Sequence, residues 1–153
     1  VGQDAKQVIR GTSLGRRKLV FSSLAGILAL PLLKNNGVNT VYYLKYASFQ
    51  NNTWTVKTVD DSVSCGSYCS LAFNLQGQPA IAYYEIRSHT GYTLQNLKFA
   101  RLRDAVWQTE RVAQSGDIGK FNNLWFDGND RAHIGTYSAS QNEITLYQKG
   151  GER

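Results

Sequence analysis

Apolar and polar residues alternate in short runs along most of the chain, the period of strands with one face covered. The runs are clearest between Tyr68 and Val112. They predict strands at Tyr68–Phe73, Ala80–Glu85, Leu97–Leu102 and Trp107–Val112. A glycine turn around Gly77, a polar loop from Arg87 to Thr93 and a turn at Asp104 separate them. Stripes at i, i+3, i+4 are missing, which excludes a helical solenoid.

The pattern repeats. Leu44-Lys45-Tyr46-Ala47 returns 53 residues later as Leu97-Lys98-Phe99-Ala100, and Trp54 and Val59 return as Trp107 and Val112. At the same offset Leu71 falls on Leu124, Phe73 on Phe126, Ile81 on Ile134 and Tyr84 on Tyr137. A weaker copy lies upstream. Phe21-Ser22-Ser23-Leu24-Ala25 reads like Tyr68-Cys69-Ser70-Leu71-Ala72, and a six-residue deletion puts Leu28 to Leu32 in the place of Ile81 to Glu85. The same stretch, Arg16-Arg17-Lys18 followed by Leu19 to Leu33, has the make-up of a secretion signal. The repeat favours a strand–turn–strand there, with Pro31 pointing to a poorly paired strand.

Four short antiparallel strands in about fifty residues make one blade of a β-propeller. The residues Gly66-x-Tyr68-x-Ser70-Leu71-Ala72, Gly77-x-Pro79-x-Ile81-x-Tyr83-Tyr84-Glu85, Leu97-Lys98-Phe99-Ala100 and Trp107 carry a family resemblance. They resemble the repeats of bacterial secreted and cell-surface β-propellers, and more distantly the propellers of sialidases. The sialidase Ser-x-Asp-x-Gly-x-Thr-Trp box is reduced to Thr53-Trp54. The resemblance implies an all-β chain of about three four-stranded blades and an extracellular or cell-surface location. Function is less determined, since propellers host binding and catalysis alike.

The expected organisation is one propeller segment over residues 1–153. Residues 1–18 hold the outer strand of a preceding blade (Val8–Arg10) and a linker. Residues 19–60, 61–114 and 115–153 hold successive blades, the last lacking its outer strand. One blade is thus split between the termini. Closed propellers have roughly four to eight blades, so the ring stays incomplete unless a longer protein or a second chain completes it. Two chains forming a six-blade ring is one such self-association.

Composition changes this little. Seventeen Lys and Arg against eleven Asp and Glu leave a net charge of +6, but outside the first twenty residues the cations are scattered singly. No basic stripe for nucleic acid, no segment long enough to span a membrane as a helix and no metal-ligand spacing is visible. No cofactor is implied. Ser115–Lys120 has the glycines of a phosphate loop without its spacing or its helix. Asn51-Asn52-Thr53 is a glycosylation sequon in a predicted tight turn.

Propeller ligands sit at one mouth of the channel, on loops before the innermost strand and after the second. Those loops are Val59–Ser67, Ser115–Lys120, Glu85–Thr93 and Ser138–Glu143. They offer Tyr68, Glu85, Arg87, His89, Asp117, Lys120 and Tyr137 as ligand-binding candidates. Tyr rings would stack and the charges would orient a sugar or a peptide; alternatively Tyr84 and Tyr137 pack between blades and the charges are solvated. Glu85 and Asp117 admit a glycosidase-like carboxylate pair. The positions equivalent to Glu85 hold Ser138 and Leu32, however, and no arginine cluster accompanies the pair. The expected function is therefore non-enzymatic, a carbohydrate- or protein-binding or assembly module, with a propeller glycoside hydrolase fragment as the alternative. Cys65 and Cys69, four apart, either form a disulfide or provide a small buried residue at 69.

Overall fold

The computed structural model describes residues 20–22, 27–35, 40–62, 64–114 and 116–150, with side chains from Tyr42 onward apart from His89. Eleven strands lie in this part: β1 (Val20–Ser22), β2 (Ile27–Asn35), β3 (Thr40–Gln50), β4 (Thr53–Asp60), β5 (Cys65–Phe73), β6 (Pro79–His89), β7 (Tyr92–Arg103), β8 (Val106–Ala113), β9 (Ile118–Phe126), β10 (Ala132–Ser138) and β11 (Glu143–Lys149). They form three antiparallel meanders, β1-β2-β3-β4, β5-β6-β7-β8 and β9-β10-β11. The all-β expectation holds. Among the described residues the three sheets do not close into a ring, and the strand expected at Val8–Arg10 lies outside them.

The backbone itself repeats every 53 residues. The pairs Leu71↔Ile81, Ser67↔Tyr84 and Cys65↔Glu85 become Leu124↔Ile134, Lys120↔Tyr137 and Ile118↔Ser138. Leu28↔Ala47 becomes Ile81↔Ala100, and the irregularity at Leu44/Lys45 returns at Leu97/Lys98. Left-handed residues repeat too: Gly66 and Gly119, Tyr68 and Phe121, Gly77 and Asp130, Asn51-Asn52 and Asp104-Ala105. Asn51-Asn52 and Asp104-Ala105 are two-residue hairpin turns in which both residues have positive φ, which among residues with side chains Asn and Asp tolerate best. The sequon at Asn51 is therefore in a tight turn, as expected.

The sheets stack face to face. Leu44, Tyr46 and Val59 of the first sheet bury against Cys65, Cys69, Ile81, Tyr83 and Ala100 of the second. Ala80, Ala82, Leu97 and Phe99, on the other face of the second sheet, bury against Ile118, Leu124 and Ile134 of the third. Two glycines set this approach. A Cβ on Gly66 would stand 3.2 Å from Leu44 Cα, and one on Gly119 only 2.9 Å from Leu97 Cα. Both glycines also have positive φ, 95° and 112°. Only glycine meets both demands.

Several expectations are corrected. The polar loop Arg87–Thr93 is instead strand, turned at Thr90-Gly91: His89 pairs with Tyr92, and the ladder runs unbroken back to Ala80↔Arg101. Gly91, at φ 89°, supplies the left-handed residue that lets the ladder run to the turn. The loop Val59–Ser67 shrinks to a short link between Asp60 and Cys65, and Ser115–Lys120 becomes strand from Ile118. β1 and β2 do pair antiparallel as expected, but Leu28 pairs with Phe21 rather than with Leu24. Among the described residues Pro31 lies beyond the pairs of β2 with β1 and faces Leu44 of β3. Cys65 and Cys69 are not joined by a disulfide. The Cys65 thiol donates instead to the Asp60 carbonyl at 3.4 Å, and burial pushes the two thiols up to about 12 and about 11.

Gly119→Ala should lose roughly 2–4 kcal/mol of unfolding free energy, since a backbone clash adds to left-handed strain. Gly77→Ala, whose Cβ meets nothing within 4 Å, should lose only about 1–2 kcal/mol. Urea denaturation of both variants measures the difference.

Candidate functional site

Two clusters of polar and aromatic side chains stand out from the apolar stack, the first built from residues that recur at the 53-residue offset and the second from residues that do not. Both lie near the start of β5 or β9, where those strands bulge.

The first is a row of aromatic rings. Tyr84 meets Tyr68 edge-on at 5.8 Å, Tyr68 meets Phe121 at 4.9 Å, and Phe121 meets Tyr137 at 6.3 Å. Tyr68 and Phe121 sit on left-handed backbone, φ 51° and 53°, which is uncommon for bulky side chains. The twist lifts their rings out of the strand, leaving Tyr68 43% and Phe121 69% exposed. Polar groups flank the row. Tyr84 Oη donates to Asp117 Oδ1 at 2.7 Å, Lys120 Nζ pairs with Asp117 Oδ2, and the same ammonium lies 5.7 Å over the Tyr84 ring. Tyr137 Oη donates to Asn142 Oδ1 at 2.7 Å. Burial alone would raise the Asp117 carboxyl, but Lys120 and the Tyr84 hydroxyl outweigh it and hold it below its ordinary value. Burial pushes the Tyr84 hydroxyl up, and donation to Asp117 adds to this.

The second cluster is charged and buried between the first and second sheets. Lys98 Nζ on β7 pairs with Asp60 Oδ2 at the end of β4 and lies 3.3 Å from Glu85 Oε1 on β6. Tyr83 Oη donates to Asp60 Oδ2 at 2.6 Å and the Ser62 N–H to Asp60 Oδ1 at 2.8 Å. Asn96 Nδ2 donates to Glu85 Oε2 at 2.7 Å, and Arg87 and Arg111 approach the same carboxylate at 3.4 Å each. Desolvation would raise the Asp60 carboxyl, yet Lys98, Ser62 and Tyr83 hold it at about 2. Glu85, fully buried, is also held below its ordinary value: Asn96 and Lys98 outweigh its desolvation. The equivalents of Asp60, Tyr83 and Glu85 at the next interface are Ala113, Thr136 and Ser138, so the cluster does not recur there.

The structure thus brings together four of the seven candidates: Tyr68, Asp117, Lys120 and Tyr137. Glu85 and Arg87 belong to the other cluster, buried with Lys98 rather than lining a mouth, and His89 lies outside the described side chains. Glu85 and Asp117 bond different partners, Asn96 and Tyr84 respectively. Sequence reasoning missed Phe121, although it stands at the position of Tyr68 in the next copy, and took Tyr84 for packing alone. It also missed Asp60 and Lys98, whose contact joins two sheets and has no local signature.

A cleft of about 130 Å³ lies at the hairpin end of the same sheets, beside Asn74, Arg101, Asp130 and Lys149. Small-molecule pockets run to roughly 300–1,000 Å³, so it is too small to hold a ligand of that kind. Among the described residues no His, Cys, Asp or Glu group is arranged to hold a metal, and no helix is long and apolar enough to cross a membrane. No family model, curated protein or solved structure matches the chain.

Lys98→Met should cost about 3–5 kcal/mol at neutral pH, because two buried carboxylates lose their shared cation. The Asp60 carboxyl lies below its unfolded value, so its stabilisation is present above about pH 4 and is lost as pH falls through about 2. Acidification should therefore narrow the gap between variant and wild type, a trend that lost packing alone would not produce. Thermal unfolding across pH 2–7 reads it.

Proposed function

We propose that this chain is a β-propeller repeat module of a secreted or cell-surface protein, that it binds a ligand without transforming it, and that the ligand is a carbohydrate. Two four-stranded sheets and a three-stranded one, with one register repeated at 53 residues, support the blade reading. The location rests on the resemblance to secreted propeller repeats.

One observation carries the ligand: the row Tyr84, Tyr68, Phe121 and Tyr137, with two rings open to solvent on left-handed backbone. Strained conformations of this kind cost of order 1–3 kcal/mol and concentrate at functional positions. Flat apolar rings flanked by an ammonium, a carboxylate and hydroxyls match a sugar, which presents C–H faces and a rim of hydroxyl groups. The binding reading is favoured over hydrolysis by the carboxyls. A glycosidase needs a carboxyl that keeps its proton near neutral pH. Asp60, Glu85 and Asp117 are all held below their ordinary values, and Glu85 is sealed from solvent.

A glycan array on the purified chain, followed by titration calorimetry on the glycan found, tests this. Tyr68→Ala and Phe121→Ala should each weaken binding at least about tenfold, ~1.4 kcal/mol. Phe121→Gly should do the same while holding unfolding free energy within about 1 kcal/mol, because glycine relieves the left-handed strain. An array with no bound glycan overturns the ligand class, and release of a cleaved product overturns the non-enzymatic reading.

A further inference from the structure

The repeat makes one surface conspicuous. In the first sheet Leu44 and Tyr46 point at the second sheet; their equivalents Leu97 and Phe99 point at the third. All four are buried. The third sheet has the same face. Its ladder pairs Tyr137 with Ile144 and Gly135 with Leu146, as the second sheet pairs Tyr84 with Leu97 and Ala82 with Phe99. Ile144 and Leu146 therefore stand where Leu97 and Phe99 stand. They are 83% and 60% exposed. Trp125 on the same face is also exposed, stacked on His133 at 5.2 Å.

The opposite end of the stack shows the matching half. Trp107 on β8 covers Tyr46 of the preceding sheet, ring to ring at 5.2 Å. Its equivalent Trp54 on β4 has no preceding sheet among the described residues and leans on Phe49 of its own sheet at 5.3 Å. Val56, which shares that outward face, is 54% exposed. The third sheet thus presents the receiving face of an inter-sheet contact, and the first sheet presents the inserting face. The chain makes that contact twice internally, so both halves have the chemistry of a contact that forms.

We infer that the Ile144–Leu146 face of the third sheet docks the Trp54–Val56 face of the first sheet of a second copy of this chain. The contact is heterologous and head-to-tail, with Trp54 set on Leu146 as Trp107 is set on Tyr46. Repetition of the internal step would set Trp54 and Val56 of one copy over Ile144 and Leu146 of the other. Bare sheet faces and edges otherwise invite uncontrolled association. The inference does not depend on the ligand.

Light scattering with size-exclusion chromatography, on the full chain across a concentration series, tests it. Wild type should assemble, and Leu146→Arg or Val56→Arg should each raise the dissociation constant at least about tenfold. Both side chains are exposed, so each variant should keep its folded circular dichroism. Mixing the two variants should restore a one-to-one complex, because one retains an intact first sheet and the other an intact third. A wild-type monomer up to about 100 µM, an assembly indifferent to either substitution, or a mixture that stays monomeric would overturn the inference. Neither residue is in the aromatic row, so glycan binding by the two variants separates failure here from failure of the ligand reading.

Discussion

The stack depends on the approach of a glycine to the backbone of the sheet before it. Gly66 lies over Leu44 and Gly119 over Leu97, at the point where each preceding sheet carries its irregularity. A Cβ would clash with Leu97 at Gly119 and crowd Leu44 at Gly66, and the positive φ of each glycine disfavours a side chain independently. Because the contact is backbone on backbone, it fixes the spacing of the sheets more firmly than side-chain packing would. Everything above it follows: the buried faces, the bulges beside it, and the rings that those bulges turn outward.

Polar residues are distributed on that frame unequally. At the interface of the first and second sheets Lys98 is shared by Asp60 and Glu85. Such a network costs desolvation and offsets it through several charge-assisted bonds. At the next interface small and neutral residues occupy the same places, and the charge moves to the rim as the Asp117–Lys120 pair beside exposed rings. One interface thereby carries a buried charge network and the other an exposed aromatic row with an ion pair beside it.

Much of the architecture was legible. The 53-residue echo of Leu-Lys-aromatic-Ala, the paired Ile81 and Ile134 and the alternating runs located the strands of the second and third sheets closely, since burial of one face imposes a period of two. The segment Arg87–Thr93 was misread because Arg, Ser, His and Thr on an exposed hairpin have the composition of a loop; only their ladder partners make them strand. The weak first copy was legible as strands but not in register, because a six-residue deletion leaves several alignments equally good. In the candidate site, Tyr68, Asp117 and Lys120 were named from loops ahead of an innermost strand and Tyr137 from the loop after a second strand. Phe121 was missed because an exposed ring and a buried one look alike in a string of letters.

By itself, the order of residues determined the strand content, the length of the repeat and the glycines at which backbones must meet, because all three arise from local geometry and periodicity. Tertiary structure alone decided that Glu85 belongs with Lys98 and Asp60 and not with Asp117, that the two cysteines stay apart as thiols, and that Ile144 and Leu146 remain uncovered. Those outcomes are set by which sheet face meets which, and a contact between residues far apart in the chain leaves no trace in the neighbours of either one.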